Sequence, residues 1–578
     1  MNLSVDVRRS EESAPPVDLW SPDREVNIAW YIPELSKRVP KQPAIIMPGS
    51  RSGPDGKPVP KASLSFEQLD ALCNRYARGL LANGILRGTK VLLMVKPSPD
   101  FFALTFALFK VGAVPVMIDP GLGKAGFLSA VEEAKPEAFI GIPLAHVARL
   151  LYPKAFASVK IKVTVGPRLF WGGLSSKTLV HEDASPLELA PTRAGELAAI
   201  LFTSGSTGPA KGVEYTHGIF DAQTRLIGSE WGIEAGEVDL PAFPLFALFS
   251  CALGVTCVIP EMDFTRPAKA NPVSILAAIE DYGVTYSFGS PAFWKTIGRH
   301  LQKEKKTLPG LRRIIMAGAP VPPKLLRDFE KLLPNGDVFI PYGATEALPV
   351  SKTRGLELLA GPADAMSRGE GSCVGKPLSV NEVRIIRITD AAIRSIEEAE
   401  VLPGGEIGEI IVRGPTTTRA YYGRSEETRY AKIADGASIW HRMGDVGYLD
   451  PEGRLWFCGR KSHCVETASG RMFTIPCEGI FNRHERVYRT ALVGVGPRGA
   501  QTPVICVECE PGAGPKGAAD QAKLEAELLE LGASSSLTAS IRQVLFHPAF
   551  PVDVRHNAKI RRETLAAWAA ARLGAASA

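Results

Sequence analysis

Apolar runs of strand length alternate with amphipathic stretches of helix length between about residues 62 and 340. Residues 64–85 have the periodicity of an amphipathic helix, and Ser65 can cap its first turn. Three further runs continue the alternation as strand, helix and strand: KVLLMVK, FFALTFALFKVG and AVPVMIDP. Regular alternation of this kind predicts parallel sheets covered by helices.

The pattern changes from about residue 380, where short strand-like runs and turn residues dominate. After about residue 461, short apolar strands occur together with one helix-like segment, AKLEAELLELG. A chain of 578 residues is too long for one compact core. We therefore predict a large N-terminal α/β domain with helix-covered sheets over residues 1–460, and a small α+β C-terminal domain over residues 461–578.

Composition excludes several classes of protein. The chain is 45% hydrophobic and 22% charged, and its net charge of +6 is small, with 67 basic against 61 acidic residues. Since no basic stripe with interleaved aromatic residues is visible, nucleic-acid binding is disfavoured. The most apolar run, residues 101–119, contains Lys110 and predicts a helix followed by a strand, not a transmembrane segment. We expect a cytoplasmic protein, because the first residues resemble no secretory or transit peptide.

The cysteines predict no metal or redox centre. Nine are scattered along the chain, and Cys506 and Cys509 form its CxxC pair. Alternating residues of a strand point to opposite faces, which places these two thiols on different sides of a strand. We therefore expect reduced, structural cysteines.

The strongest chemical signal is the segment LFTSGSTGPAKGV, residues 201–213, which directly follows an apolar strand. Its glycines let the backbone approach a ligand closely, and its hydroxyls and lysine suit a polyphosphate. It is not a Walker loop, because Lys211 is followed by Gly212 rather than by serine or threonine. The residues predicted to surround the phosphates are Thr203, Ser204, Gly205, Ser206, Thr207, Gly208 and Lys211.

This segment resembles a loop of the adenylate-forming superfamily, which includes acyl-CoA synthetases, luciferases and peptide-synthetase adenylation domains. The resemblance extends from about residue 60 to 565 and implies ATP and Mg²⁺ as cofactors. Residues 342–346, YGATE, match a family motif in which Thr345 contacts phosphate and Glu346 helps to bind Mg²⁺. Tyr342 and Gly343 belong to the same ATP-binding motif.

Further matches complete the implied nucleotide site. Gly318, Ala319 and Pro320 resemble the family's loop beside the adenine. Asp445, in MGDVGYLD, resembles the aspartate that binds the ribose, and Arg460 resembles the arginine that joins it.

Lys559, in HNAKIRR, has the position of the family's catalytic lysine, although relatives usually have glycine in place of Ala558. A mobile cation that arrives for adenylation stabilises the attack of one anion on another. The resemblance thus implies a mobile C-terminal lid with a hinge at about Ser462. The predicted catalytic residues are Lys559, Lys211, Thr345 and Glu346, and Glu346 is the predicted metal ligand.

Two segments depart from the thioester-forming members of the superfamily. Ala247 occupies a slot in which those relatives usually carry a histidine, and residues 470–479 have one extra residue between glycine and proline. Both changes disfavour a standard thioester step with CoA. The apolar pocket predicted for the acyl substrate is lined by Phe243, Phe246, Ala247, Phe249 and Phe288.

One branch of the superfamily, the β-lactone synthetases of bacterial long-chain olefin biosynthesis, resembles this chain in FPLFALFS, YGATEALPVS and FPVDVRHNAKIRRETL. That resemblance implies adenylation of a 2-alkyl-3-hydroxy fatty acid, attack by its own hydroxyl, and assembly with other olefin-pathway enzymes. Two alternatives stay open: a long-chain fatty acyl-CoA synthetase or fatty acyl-AMP ligase, and a non-catalytic nucleotide-binding scaffold. No base for the hydroxyl is identified, although His217, His547 and His556 are available.

Overall fold

The computed structural model of the protein describes residues 18–49, 58–203, 210–552 and 559–576. Within these ranges no helix is both long enough and apolar enough to cross a membrane. In chain order the strands are β1 (Pro43–Met47), β2 (Ala62–Ser65), β3 (Lys90–Met94), β4 (Val114–Ile118), β5 (Ala138–Gly141), β6 (Ile161–Thr164), β7 (Leu174–Ser175), β8 (Leu197–Thr203), β9 (Lys211–Thr216), β10 (Val238–Asp239), β11 (Thr256–Val258), β12 (Tyr286–Gly289), β13 (Arg313–Met316), β14 (Asp337–Ala344), β15 (Ala347–Arg354), β16 (Ser372–Cys373), β17 (Lys376–Pro377), β18 (Glu382–Ile386), β19 (Gly408–Arg413), β20 (Lys432–Asp435), β21 (Ser438–Leu449), β22 (Leu455–Arg460), β23 (Val465–Thr467), β24 (Gly470–Met472), β25 (Val487–Val495), β26 (Thr502–Cys509) and β27 (Gln543–Phe546).

The α-helices are α1 (Tyr31–Arg38), α2 (Phe66–Ala82), α3 (Pro99–Lys110), α4 (Gly123–Ala134), α5 (Pro143–Leu151), α6 (Ser176–Leu179), α7 (His217–Trp231), α8 (Ala247–Ala252), α9 (Pro272–Asp281), α10 (Pro291–Glu304), α11 (Pro323–Leu332), α12 (Gly355–Leu359), α13 (Pro362–Ser367), α14 (Ser425–Ala431), α15 (Thr474–Phe481), α16 (Ala518–Ala533) and α17 (Arg562–Ala576).

Two large sheets form the first part of the chain. One has seven strands in the order β7–β6–β5–β3–β4–β8–β9, and it is parallel except for the β8–β9 hairpin. The other has nine strands in the order β17–β15–β14–β13–β12–β10–β11–β1–β2. It is parallel from β14 to β1 and antiparallel at both ends. These sheets confirm the predicted alternation.

The helices α2 and α3 belong to a core that contains residues of both sheets. Ser65 caps α2, as predicted, through reciprocal hydrogen bonds with the third residue of the helix. Residues 101–110 of α3 are all buried. A charge in this core needs partners, and Lys110 Nζ donates to Asp70 and to Asn74 at 2.6 Å each.

The later part of the chain contains smaller sheets. Residues 372–460 contribute the sheet β16–β22–β21–β19–β18, with β20 paired to β21. After Arg460, the sheet β25–β26–β27 has an apolar cluster on each face, and Cys506 and Cys509 lie in different clusters, as predicted. All nine cysteines are free thiols. The predicted fold class, a large α/β domain with a small α+β domain, is confirmed.

Candidate active site

The hydroxyl-rich loop joins two adjacent strands at one edge of the seven-stranded sheet. β8 ends at Thr203 and β9 begins at Lys211, and these two residues are cross-strand neighbours. A Cβ at Gly212 would lie 2.7 Å from the ring of Phe202, so this close strand pairing requires glycine. Both ends of the loop are therefore held by one hairpin. Its central residues, Ser204, Gly205, Ser206, Thr207 and Gly208, lie outside the described ranges.

Tyr421 connects Lys211 to Glu346. Its phenol donates to Glu346 Oε1 at 2.7 Å, and Lys211 Nζ lies 4.9 Å from the centroid of the ring. Burial first, and then the charge of Glu346, raises the pKa of Tyr421, so the phenol keeps its proton and acts as a donor. Sequence reasoning missed this residue, because nothing in AYYGRSEET distinguishes Tyr421 from Tyr422.

The YGATE segment lies at the tip of the β14–β15 hairpin, where Thr345 and Glu346 occupy the turn. Tyr215 of β9 donates its phenol proton to the Thr345 carbonyl at 2.6 Å. The N–H of Thr418 donates to the Glu346 carbonyl at 2.8 Å. A Cβ at Gly343 would lie 2.6 Å from a carbonyl of the opposite strand. The turn is therefore anchored to β9, which carries Lys211, and to the segment that precedes Tyr421.

Asp445 and Arg460 are cross-strand neighbours on β21 and β22. Arg460 Nη1 lies 2.9 Å from Asp445 Oδ1, and the hydroxyl of Tyr342 donates to Asp445 Oδ2 at 2.7 Å. Burial raises the pKa of the Asp445 carboxyl, while Arg460 and the hydrogen bond from Tyr342 oppose the rise. Arg460 Nη1 donates to the Met443 carbonyl and is only an ion-pair neighbour of Asp445 Oδ1. Within the described part of the chain this oxygen accepts no hydrogen bond, so it has capacity for a ligand hydroxyl.

Lys559 opens the last described segment and is exposed. Its charge is among those that lower the pKa of Asp445, whereas the charge of Glu346 raises it. Coulomb interactions between such groups weaken with distance, so the three side chains share one region of the molecule. The fold thus brings together predicted residues from the YGATE, MGDVGYLD and HNAKIRR segments.

A buried lysine that no motif indicated adjoins this cluster. Lys432 begins β20, and its Nζ donates to the carbonyl and, at 3.1 Å, to the hydroxyl of Thr418. Its Nζ also lies 6.0 Å from the centroid of the Tyr421 ring. Burial lowers the pKa of Lys432 to about 7, and the charge of Glu346 opposes the shift. Its sequence signal is weak, a single lysine in the run AKIA ahead of MGDVGYLD.

Four predicted pocket residues form an aromatic cluster. Phe246 and Phe288 stack with their centroids 3.9 Å apart, and Phe243 lies 5.3 Å from Phe246. Phe249 lies 6.0 Å from Phe246. All four rings are partly exposed, as the wall of an apolar pocket requires. Ala247 is instead fully buried in the main core, so its effect on the acyl channel stays a prediction.

The predicted adenine-side loop follows β13, next to the strand that carries Phe288. β13 pairs in parallel with β12, so both strands end at the same edge of the sheet. Gly318 has a φ of +92°, a left-handed conformation that favours glycine. Ala319 and Pro320 then lead towards α11. The loop and the aromatic cluster therefore lie at the carboxyl ends of these parallel strands, where ligands of α/β folds commonly bind.

Comparison with known proteins identifies the family. The family of AMP-binding enzymes matches residues 36–422. The chain belongs to this family. It is 50% identical over 559 residues to the olefin β-lactone synthetase of Stenotrophomonas maltophilia (strain K279a), a match that covers 95% of this chain and 99% of that protein. The olefin β-lactone synthetase of Xanthomonas campestris pv. campestris is also 50% identical, over 94% of this chain and 97% of its own length.

These relatives confirm the predicted resemblance to the adenylate-forming superfamily and to its β-lactone synthetases. This AMP-binding enzyme is therefore an ATP-dependent, AMP-forming ligase, and the scaffold alternative is excluded. Among solved structures, the anthranilate CoA ligase AuaEII in complex with anthranoyl-AMP has a TM-score of 0.76 at 18% identity, covering 96% of this chain and 98% of that one. At this identity the likeness shows the fold alone.

Of the three histidines that the sequence offers as a base, the two that the structure describes have structural contacts. His217 is fully buried at the start of α7, and its Nδ1 accepts from the Ile28 N–H at 3.2 Å. Burial lowers the pKa of His217 to about 4. The ring of His547 packs against Trp568 with centroids 4.6 Å apart. His556 lies outside the described residues.

Proposed function

We propose that this enzyme activates a 2-alkyl-3-hydroxy long-chain fatty acid with ATP and closes it to a β-lactone, with release of AMP and pyrophosphate. The observation that carries the lactone step is the 50% identity over 95% of the chain to an olefin β-lactone synthetase. The adenylation step is supported by the contacts that join Tyr421 to Glu346 and Lys211, and Asp445 to Arg460.

Adenylation brings a carboxylate against the α-phosphate, so cations must offset the repulsion between two anions. In our proposal Asp445 and Arg460 hold the ribose, while the hydroxyl-rich loop, Thr345 and Lys211 hold the phosphates. A carboxylate oxygen bonds to the α-phosphorus, and the bond from that phosphorus to pyrophosphate breaks. Lys559 approaches for this step and stabilises the charge that develops on the phosphate oxygens.

We also propose that Mg²⁺ accompanies the ATP. Glu346 offers one carboxylate, which the hydrogen bond from Tyr421 orients. Among the described residues there is no group of three or more His, Cys, Asp and Glu side chains that could hold a metal by itself. A single protein carboxylate suits Mg²⁺, which keeps waters and substrate phosphates as its other ligands. The bound ion would neutralise charge on the phosphates.

Ring closure needs no external nucleophile. The oxygen of the 3-hydroxyl attacks the carbonyl carbon of the acyl adenylate and loses its proton, and the bond from that carbon to AMP breaks. Well-oriented intramolecular reactions reach effective molarities of about 10⁵–10⁸ M, which can offset the strain of a four-membered ring. The apolar cluster of Phe243, Phe246, Phe249 and Phe288 would hold the alkyl chains and exclude water, which competes for the adenylate.

We propose that residues 1–460 and 461–578 move relative to each other about a hinge near Ser462. β22 ends at Arg460, and residues Lys461–His463 form a short 3₁₀ turn before β23. Rotation at this turn would bring Lys559 to the phosphates for adenylation and withdraw it afterwards. Because the second step uses the substrate's own hydroxyl, this rotation need not open a path for CoA.

The decisive experiment compares two acids that differ only in the 3-hydroxyl. The enzyme is incubated with ATP and each acid, with and without CoA, and the products are identified by mass spectrometry. We expect a β-lactone, AMP and pyrophosphate from the hydroxy acid regardless of CoA, and a slowly hydrolysed adenylate from the other acid. A CoA thioester as the main product would favour the acyl-CoA synthetase alternative and overturn the lactone proposal.

The cytoplasm is the proposed compartment, and other olefin-pathway enzymes are the proposed assembly partners. Nine free thiols suit a reducing compartment. Co-purification of the tagged enzyme with the other enzymes of the pathway tests the assembly.

A further inference from the structure

An exposed apolar surface lies on α5 and on the loop that follows β6. Leu144 and Leu151 of α5 are 74% and 65% exposed, and Phe170 in the loop is 83% exposed. On α5 the apolar residues recur at helical spacing, whereas Ala145 and His146 on the other face are buried. We call this surface the α5 patch. Its exposed apolar side chains are Leu144, Val147, Leu150, Leu151, Leu169 and Phe170.

The α5 patch is held in place by contacts beneath it. The ring of Trp171 stacks on His146 with centroids 5.5 Å apart and planes 3° from parallel. Trp171 Nε1 donates to Thr164 Oγ1 at 2.9 Å, and its carbonyl accepts from Arg149 Nη2 at 3.3 Å. The loop is therefore tied to both α5 and β6, and Phe170 next to Trp171 is presented to solvent on a fixed support.

The chain segment that carries the α5 patch is rich in basic residues. Residues 138–181 contain six lysine and arginine residues and no aspartate or glutamate, and the acidic residues Glu137, Glu182 and Asp183 border the segment. In the described part of the chain, none of the six forms an ion pair with a carboxylate, and Arg149 and Arg168 donate to the backbone carbonyls of Trp171 and Gly173. Five of the six are Arg149, Lys154, Lys160, Lys162 and Arg168, on α5 and on the segments that flank β6 or in β6 itself. The sixth, Lys177, lies on α6, which packs on the opposite face of the sheet.

The α5 patch and the hydroxyl-rich loop lie at opposite ends of the seven-stranded sheet. The strands that support the patch, β5, β6 and β7, form one end of the sheet, and β8 and β9, which carry the hydroxyl-rich loop, form the other. A large surface could dock on the patch without covering that loop. The site and the patch can therefore be tested separately.

We propose that the α5 patch binds the surface of a membrane that contains anionic lipids. An amphipathic helix inserts leucine side chains at the level of the headgroups, and flanking lysine and arginine side chains meet anionic phosphates. A neighbouring aromatic side chain at a loop tip adds a second apolar anchor. The α5 patch has both features: an exposed apolar helix face, and basic side chains on the same segment that form no ion pair with any described residue. The inference does not depend on lactone formation, but a substrate with two alkyl chains would partition into the same membrane.

The test is flotation of the full chain with vesicles of phosphatidylcholine alone and of phosphatidylcholine with phosphatidylglycerol. We expect binding to the anionic vesicles that weakens as salt is raised. The variant Leu144→Ser/Phe170→Ser removes two apolar anchors, and Lys154→Gln/Lys160→Gln/Arg168→Gln removes three charges. Each should lower the affinity for anionic vesicles at least about tenfold and leave ATP binding and the melting temperature unchanged.

Matched controls lie outside the patch. Val273→Ser changes an exposed apolar residue of α9, and Lys303→Gln/Lys306→Gln/Lys331→Gln removes three exposed charges elsewhere. Both controls should bind vesicles like the unmodified chain. Equal loss in the controls, or no vesicle binding by the unmodified chain, would overturn the proposal. In the latter case, loss of a co-purifying olefin-pathway enzyme in the patch variants would assign the surface to a protein partner.

Discussion

The phenol of Tyr421 donates to Glu346 Oε1 at 2.7 Å while Lys211 Nζ lies 4.9 Å from the centroid of the same ring. One side chain thus orients the proposed metal ligand and contacts the cation of the hydroxyl-rich loop. The hydrogen-bonded residues are 75 positions apart in the chain, so the contact exists only in the folded protein.

Replacement of Tyr421 by phenylalanine removes the hydrogen bond to Glu346 and keeps the ring beside Lys211. We expect kcat/KM for pyrophosphate release to fall about tenfold or more, since a hydrogen bond to a charged group contributes about 1.5–3 kcal/mol. The magnesium concentration for half-activity should rise. Tyr430→Phe, at an exposed tyrosine, is the control and should leave both quantities unchanged. An unaltered rate and magnesium response in Tyr421→Phe would remove this residue from the site.

Lys559→Ala should abolish pyrophosphate release while ATP binding stays measurable. The reason is that this cation stabilises the transition state of adenylation more than it stabilises bound ATP. Pyrophosphate release and nucleotide affinity are measured on the same preparation. Lys523→Ala, at another exposed lysine after residue 460, should behave like the unmodified enzyme. Near-normal pyrophosphate release in Lys559→Ala would contradict the assignment.

Glu346→Gln keeps the shape of the side chain and removes its charge. We expect weaker turnover and a higher magnesium requirement, because the amide is a poorer ligand for a hard cation. A magnesium titration of pyrophosphate release measures the effect, with Glu426→Gln on the surface of α14 as the matched control. If both variants respond to magnesium like the unmodified enzyme, the ion is held by phosphates and water alone.

The buried Lys432 predicts a specific dependence of stability on pH. Its pKa in the folded protein is lowered to about 7 by burial, against about 10.4 for an unperturbed lysine. Between these two pKa values the unfolded chain binds more protons than the folded protein, so the stability of the native state rises with pH. Below pH 7 Lys432 is charged in both states, and the full cost of burying that charge is present.

Lys432→Met removes this ionisation. The stability of the variant relative to the unmodified enzyme should therefore be greatest near pH 6 and fall towards pH 9, by about 1 kcal/mol per pH unit. Thermal denaturation of both proteins across this range gives the difference. Curves that run parallel at all pH values would mean that Lys432 does not titrate in this window.

Much of the fold and part of the candidate site could be predicted because their signals are local. The cap at Ser65 depends on a residue three positions away, and the opposite faces of Cys506 and Cys509 follow from the geometry of a single strand. The loop that begins after Thr203 has a local signal too, because glycine and hydroxyl residues directly follow an apolar strand. That Lys211 begins a strand paired to β8 was not predicted. The family motifs then indicated Asp445, whose partner Arg460 is its neighbour in the adjacent strand.

The sequence by itself determined the alternation of strands and helices, the hydroxyl-rich loop and the family resemblance, since each is written in consecutive residues. Only the tertiary structure decided that Tyr421 meets Glu346, that Lys432 is buried, and that Ala247 belongs to the core. It also decided that the apolar face of α5 remains exposed. Burial and electrostatic surroundings depend on how distant strands and helices pack, and no short-range pattern encodes that packing.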